Sequence, residues 1–326
     1  MGMSRRVSKT TMRALYFDGT LRLDERPRPD PPTGEALIRV TTTGVCNTDI
    51  EILKGYMGFQ GVPGHEFVGV VEAAANDHLI GKRVVGEINC TCGVCRYCTQ
   101  EMPHHCSNRT TLGIDRRHGS FAEYLTLPES NLHLVPEGVS DEVAVFTEPV
   151  AAAFRILEQI AIASDDRVVV LGDGKLGQLI TQVLALHSEH VVCVGHHDWK
   201  LDFLRRLGIA TAAHVDAVDP EADVVVEATG SPEGFAQALE LVRPEGAIVL
   251  KTTIAGNTPA NLTVPVVNEV RLIGSRCGPF RPALEALSLG TVDVRPLVTE
   301  TYAIEDGVTA LERAVAPDVM KVLIRM

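Results

Sequence analysis

Two patterns of apolar residues divide the chain near residue 165. Before that point the apolar runs are short, and glycine and proline break them. The run ALIRVTTTG (36–44) alternates as a half-buried strand does. MRALYF (12–17), FVGVVEAAA (67–75), KRVVGE (82–87) and SFAEYLTL (120–127) add strand signals, and RPRPDPPTGE (26–35) reads as a proline-rich turn. This pattern predicts a β-rich, barrel-like first domain. A helical run starts near Asp141 and continues through EPVAAAFRILEQIAIA (148–163).

Beyond residue 165 the period changes. RVVVLG (167–172) is a continuous apolar strand, and KLGQLITQVLALH (175–187) is an amphipathic helix. HVVCVG (190–195) and DWKLDFLRRLG (198–208) repeat the pair, followed by ADVVVEATG (222–230), PEGFAQALELV (232–242) and GAIVLKTT (246–253). Apolar strands alternating with helices predict an α/β domain, a doubly wound parallel sheet covered on both faces. From about Ser275 the character is mixed, with helical runs PALEALSLG (282–290) and EDGVTALERAV (305–315) and a last strand MKVLIR (320–325). This tail is expected to fold back onto the first domain.

Composition narrows the class. The 326 residues suit two domains, and 45% hydrophobic with 22% charged residues is ordinary for a globular protein. A net charge of -12 disfavours nucleic acid or an anionic membrane as partner. No apolar run approaches the ~20 residues of a membrane span, and MGMSRRVSKTT lacks the apolar stretch of a signal peptide. A cytoplasmic location is expected. Met12 opens the first strand, so residues 1–11 read as a flexible extension.

Gly172-Asp173-Gly174-Lys175-Leu176-Gly177 follows a buried-type strand and opens a helix. In that setting a G-x-G-x-x-G binds a dinucleotide. The first glycine permits the tight turn, the second lets the pyrophosphate approach, and the third lets helix pack on strand. The helix N-terminus then faces the phosphates. An acid at the tip of the next strand would bind the ribose of NAD. Here the tip is Val194-Gly195-His196-His197, with Lys200 nearby and Asp198 only later. This leaves room for a 2′-phosphate and tilts the expectation from NAD towards NADP. His196 and His197 fit exposed loop residues equally well.

Five of the eight cysteines fall between Cys90 and Cys106. Cys92, Cys95, Cys98 and Cys106 form C-x-x-C-x-x-C-x7-C, and Gly93 eases the turn between them. Four thiolates close a tetrahedron around zinc and leave no open position, so the site is structural. The spacing by itself also admits an iron–sulfur cluster. Cys90 lies outside the pattern.

Three further pieces are bland alone: Gly44-Val45-Cys46-Asn47-Thr48-Asp49, Gly64-His65-Glu66, and Thr147-Glu148-Pro149. A cysteine, a histidine and carboxylates together suit a zinc that keeps an open position. With the four-cysteine loop and the glycine-rich turn in this order, the chain from about Met12 resembles zinc-dependent medium-chain dehydrogenase/reductases. The resemblance is to their sorbitol, threonine and glucose dehydrogenase branch. It implies a Rossmann-type domain at 151–275 and a GroES-like catalytic domain at 12–150 and 276–326. It implies a catalytic zinc at Cys46, His65, Glu66 and Glu148, with either Glu bound directly or through water, and makes the four-cysteine ion a second, structural zinc. Glu148 also fits a first-turn helix carboxylate. Thr48 matches the hydroxyl that starts the proton relay. Glu51 stands where many relatives have histidine, and Leu250-Lys251-Thr252-Thr253 replaces glycines common beside the nicotinamide.

The implied activity is hydride transfer between an alcohol (a polyol, sugar or other secondary alcohol) and NAD(P). An NADPH-dependent aldehyde or ketone reductase is the alternative. A catalytically idle zinc- and nucleotide-binding protein is the third reading. The implied partners are a small alcohol or carbonyl substrate and further copies of the chain, as dimer or tetramer.

Overall fold

The structure, a computed structural model, describes residues 10–252 and 261–326. Most of the 1–11 extension therefore lies outside the described residues, and Thr11 rather than Met12 opens the first strand. The strands and helices follow in chain order. First come β1 (Thr11–Phe17), β2 (Leu21–Pro27), β3 (Glu35–Gly44), α1 (Asn47–Leu53), β4 (Glu66–Ala73), β5 (Arg83–Gly86) and β6 (Asn89–Cys90). Then come α2 (Arg96–Thr99), β7 (Thr110–Leu112), β8 (Arg116–Arg117), β9 (Tyr124–Pro128), β10 (Leu132–Leu134) and α3 (Asp141–Ala144). A second stretch holds α4 (Thr147–Gln159), β11 (Arg167–Leu171), α5 (Lys175–Ala185), β12 (His190–Val194), α6 (Asp198–Arg206), β13 (Ala210–Ala212) and β14 (Ala222–Glu227). It continues through α7 (Gly234–Leu241), β15 (Val242–Leu250), α8 (Thr263–Val267), β16 (Arg271–Gly274) and α9 (Phe280–Leu289). The chain ends with β17 (Val298–Ala303), α10 (Gly307–Arg313) and β18 (Lys321–Arg325).

Two compact units result. One comprises the chain up to Val145 together with Val298–Met326, the other Phe146–Leu297. The first unit is β-rich. Its larger sheet runs β10-β5-β4-β3-β18-β17, with β9 also paired to β3. Antiparallel pairing of β3 with both β4 and β18 carries Gly44 between Glu66 and Leu323. Leu15, Val45, Phe121, Leu311 and Val322 lie in a core that joins the N-terminal strands to the C-terminal tail. Burial of such side chains contributes about 1.5–3 kcal/mol each.

The second unit carries a fully parallel six-stranded sheet in the order β13-β12-β11-β14-β15-β16. This is the doubly wound order of dinucleotide-binding folds. Val168, Val170, Val225, Val226, Ile248 and Val249 are buried, as expected of strands covered on both faces. The unit is larger than the sequence expectation at both ends. The helical run from Asp141 breaks into α3 and α4, and α4 begins the second unit. Residues 276–297, expected with the catalytic domain, belong to the second unit, where α9 packs on α4. The apolar face of PALEALSLG thus finds its partner on a helix rather than on the β-rich sheet. Among the described residues no helix is long and apolar enough to cross a membrane.

Lys251 follows β15 and is buried, its Nζ donating to Ala152 O at 2.7 Å and Ser275 Oγ at 3.2 Å. Burial pulls its pKa from 10.5 down to about 8, while Cys277 and Glu148 oppose the shift. The unfolded chain therefore binds more protons than the folded one between those two values, and stability rises with pH across that window. The cost of burying the ammonium is full below pH 8. Thermal melting should show the Lys251→Met variant gaining most on the parent at pH 7, with the gap narrowing by pH 10. A gap independent of pH would contradict a buried ammonium.

Candidate metal and dinucleotide sites

Cys46 caps the N-terminus of α1, and Asp49, three residues on, turns back to accept from the Cys46 N–H at 2.8 Å. The same fully buried carboxylate accepts from Gly64 N–H at 3.1 Å. It thereby ties the loop before β4 to the start of α1. His65 and Glu66 follow directly, both buried, and Thr43 Oγ1 donates to Glu66 O at 2.7 Å. The outcome is one cluster: a ligand atom from each of Cys46, His65 and Glu66 lies within 4.8 Å of the others.

The chemistry of this cluster suits a divalent cation. His65 Nδ1 lies 3.2 Å from Asp49 Oδ1, within charge-pairing distance but without the alignment of a hydrogen bond. Burial disfavours the imidazolium, but Asp49 and Cys46 outweigh it and hold the His65 pKa well above 6.5. A soft thiolate, an imidazole and a carboxylate in one buried place are a donor set for zinc. Thr48 sits in the first turn of α1, its Oγ1 3.8 Å from Cys46 Sγ. Glu51, one turn on, pairs with Lys54 at 2.9 Å. Glu148 occupies the first turn of α4, in the second unit.

Sequence reasoning missed two residues here. Asp49 had a signal, since its spacing from Cys46 is that of a capping box. Lys321 had none. Its ammonium pairs with the Glu66 carboxylate, and both are almost fully buried. β3 lies between β4 and β18, so this ion pair passes over Gly44. A Cβ there would overlap Glu66 Oε2 and come within 2.8 Å of Lys321 Cε.

Cys92, Cys95, Cys98 and Cys106 also converge, with all four sulfurs within 4.8 Å of one another. Cys95 and Cys98 are 3.5 Å apart and Cys92 and Cys106 3.6 Å, and all four thiols are free. A tetrahedron with Zn–S bonds of about 2.3 Å has sulfur–sulfur edges of about 3.8 Å. The gap holds one ion and leaves no room for the several iron and sulfide atoms of a cluster. Backbone N–H groups of Cys98 and Ser107 lower the Cys95 pKa to about 6, favouring the thiolate that binds metal. Burial raises Cys98 to about 11 and Cys90, outside the cluster, also to about 11. Gly93 turns the loop in left-handed backbone, with φ 73°.

The glycine-rich turn joins β11 to α5. Gly172 has φ 114°, and a Cβ on it would meet Ala228 O at 2.5 Å. A Cβ on Gly177 would overlap Gly172 O, whereas Gly174, the N-cap of α5, has nothing within 4 Å of that position. The middle glycine thus faces open space where a pyrophosphate can approach, and Lys175 and Leu176 open the helix behind it. Gly195, His196 and His197 follow β12 at its C-terminal end, beside this turn.

The Glu66–Lys321 pair has a measurable consequence. In the metal-depleted protein, Lys321→Met leaves a buried carboxylate without its cation and should cost about 3–5 kcal/mol by urea unfolding. A loss below about 1 kcal/mol would mean that the pair behaves as a solvated surface bridge.

Known proteins resemble this chain along most of its length. Residues 32–137 match the model of the alcohol dehydrogenase GroES-like domain, and residues 141–326 match that of the glucose dehydrogenase C-terminus. A sorbitol dehydrogenase of Halalkalibacterium halodurans is 30% identical, over 97% of this chain and 98% of its own. An L-threonine 3-dehydrogenase of Anaeromyxobacter sp. (strain K) is 29% identical over 91% of this chain and 93% of its own. A zinc-binding dehydrogenase of Sinorhizobium meliloti 1021, solved with NADP, shares the fold at a TM-score of 0.90 with 24% identity, covering 98% of this chain and 100% of that one. The chain therefore belongs to the zinc-dependent medium-chain dehydrogenase/reductase family, as an NAD(P)-dependent oxidoreductase acting on alcohols.

Proposed function

We propose that the protein oxidises a polyol, sugar or other secondary alcohol at a catalytic zinc held by Cys46, His65, Glu66 and Glu148. A second, structural zinc is assigned to Cys92, Cys95, Cys98 and Cys106. The observation that carries this reading is the convergence of Cys46, His65 and Glu66 in one buried cluster. The sorbitol and threonine dehydrogenases among the relatives support a substrate with more than one polar group beside the reacting carbon. Gly172, Gly174, Lys175, Leu176 and Gly177 are assigned to the pyrophosphate, and Gly195, His196 and His197 to the adenosine end.

When bound, zinc would supply a Lewis acid that acidifies the substrate hydroxyl, and the nicotinamide a hydride acceptor. The protein's own residues do the rest. Asp49 fixes the Cys46 backbone and faces the His65 ring, so two ligands from separate segments stay in register. Lys321 balances the Glu66 charge. The Thr48 hydroxyl receives the proton that leaves the substrate, and its route outward runs past Glu51. Glu51 is partly exposed and held by Lys54, which suits the end of a relay better than its start.

Two wider assignments follow. A cytoplasmic location is assigned from the spacing of Cys92, Cys95, Cys98 and Cys106 as metal ligands, the use of thiols expected in a reducing compartment. A second copy is assigned to the edge strand β16, because Val266 and Val267 lie exposed at the end of α8, the helix that leads into it. Light scattering should give twice or four times the chain mass, and a monomer would remove that assignment.

A panel of polyols, sugars, amino alcohols and simple alcohols, each with NAD and NADP, tests the activity. Turnover on at least one is expected. A protein carrying both zincs that turns over none of these alcohols or their carbonyls would sink the reading. Cys46→Ser should abolish turnover and release about one zinc per chain while the melting temperature holds. Cys98→Ser should instead lower the melting temperature; loss of turnover alone would reassign the four-cysteine ion.

A further inference from the structure

The carboxylate missing from the tip of β12 is present in space. The strand ends at Val194, and Gly195, the next residue, has no side chain to reach a ribose. A Cβ on Gly195 would lie 2.3 Å from Cβ of Asp173 and 2.5 Å from its Cγ and Oδ2. Gly195 is not among the glycines in left-handed backbone, so its φ does not demand glycine. The approach of Asp173 does. Asp173 is the second residue of the glycine-rich turn, and its side chain is nearly buried. Its Oδ2 accepts from the His197 N–H at 2.7 Å, and the His197 ring faces it with Nδ1 3.0 Å from Oδ2.

We propose that Asp173 takes the place of the strand-tip acid, accepts hydrogen bonds from the adenosine ribose hydroxyls, and makes the protein prefer NAD over NADP. The inference rests on the dinucleotide reading above and reverses the tilt towards NADP drawn from the sequence. A carboxylate offers about four lone-pair sites. His197 reaches Oδ2 through its backbone N–H and both oxygens through its ring, which leaves an acceptor site on Oδ1 for a hydroxyl. A 2′-phosphate would instead bring its negative charge against the carboxylate in a place poorly screened by water.

The basic side chains of α6 have partners of their own. The His197 ring is turned to Asp173, and Lys200 Nζ lies 5.4 Å from the centre of the Trp199 ring. His196 lies beside His214, the rings tilted at 43° with centres 6.1 Å apart, and Arg205 pairs with Asp198 and Asp202. Among the described residues no guanidinium hydrogen-bonds to Asp173, the arrangement that would favour a 2′-phosphate.

Binding of NADH and NADPH to the full-length, zinc-loaded protein, followed by cofactor fluorescence, tests the inference without turnover. The parent should bind NADH at least about tenfold more tightly, the scale of one charge-assisted hydrogen bond. Asp173→Asn keeps the shape and an acceptor for His197 but removes the charge, so the preference should fall to near unity or reverse. Asp173→Gly combined with Gly195→Asp returns an acid to the strand tip, into the space that Asp173 Cβ and its carboxylate vacate, and should restore the preference for NADH. A parent that prefers NADPH, or binds both equally, overturns the inference, as does an Asp173→Asn variant with an unchanged ratio. Binding of neither cofactor overturns the dinucleotide reading itself. If Asp173→Asn fails to fold, the parent and the double variant still decide.

Discussion

One buried carboxylate holds the candidate metal site together. Asp49 accepts a backbone N–H from Cys46 and another from Gly64, and its remaining face lies against His65. These contacts join the start of α1 to the loop that enters β4. They extend the β3–β4 pairing, which sets Gly44 opposite Glu66 but stops two residues short of Cys46. A fully buried carboxylate is costly unless its lone pairs are satisfied. Backbone donors satisfy it here, and the same hydrogen bonds set the spacing of Cys46 and His65. Stability of the turn and geometry of the site are therefore one arrangement.

Buried charge recurs at the candidate metal cluster, just after β15 and in the glycine-rich turn. Glu66 is matched by Lys321 across Gly44, and the pair exists only because the strand between them carries no side chain. Lys251 is matched less completely, by a carbonyl and a hydroxyl, and burial lowers its pKa accordingly. Asp173 is matched by His197. In each case a charged side chain sits within a few ångströms of a glycine or a strand end. Such groups lend little net stability when buried, which makes their retention intelligible as preorganisation for ligands.

The two units differ in how they build their sites. In the second unit the constraint is steric: Gly172 and Gly177 approach backbone so closely that no larger residue fits, and the sheet order places the turn at its switch point. In the first unit the constraint is electrostatic, and the ligands come from strands and helix starts that antiparallel pairing brings side by side. The four-cysteine loop needs neither device. Its sulfurs come from neighbouring residues, so a short left-handed turn at Gly93 suffices.

This difference explains what was legible. Local spacing determined the four-cysteine site and the glycine-rich turn, because every participating residue lies within about one or two turns of the next. Apolar periodicity determined the alternation of strands and helices in the Rossmann-type unit and its parallel sheet. Periodicity carries no record of which element an amphipathic helix packs against. From sequence α9 is expected with the catalytic domain, whereas its apolar face packs on α4. Tertiary structure alone brought Lys321 from the C-terminal strand to Glu66, and placed Asp173 where the sequence showed only a glycine. Both depend on side chains crossing between neighbouring strands. Sequence order records which residues follow one another, whereas strand pairing and the gaps left by glycine decide which charges meet.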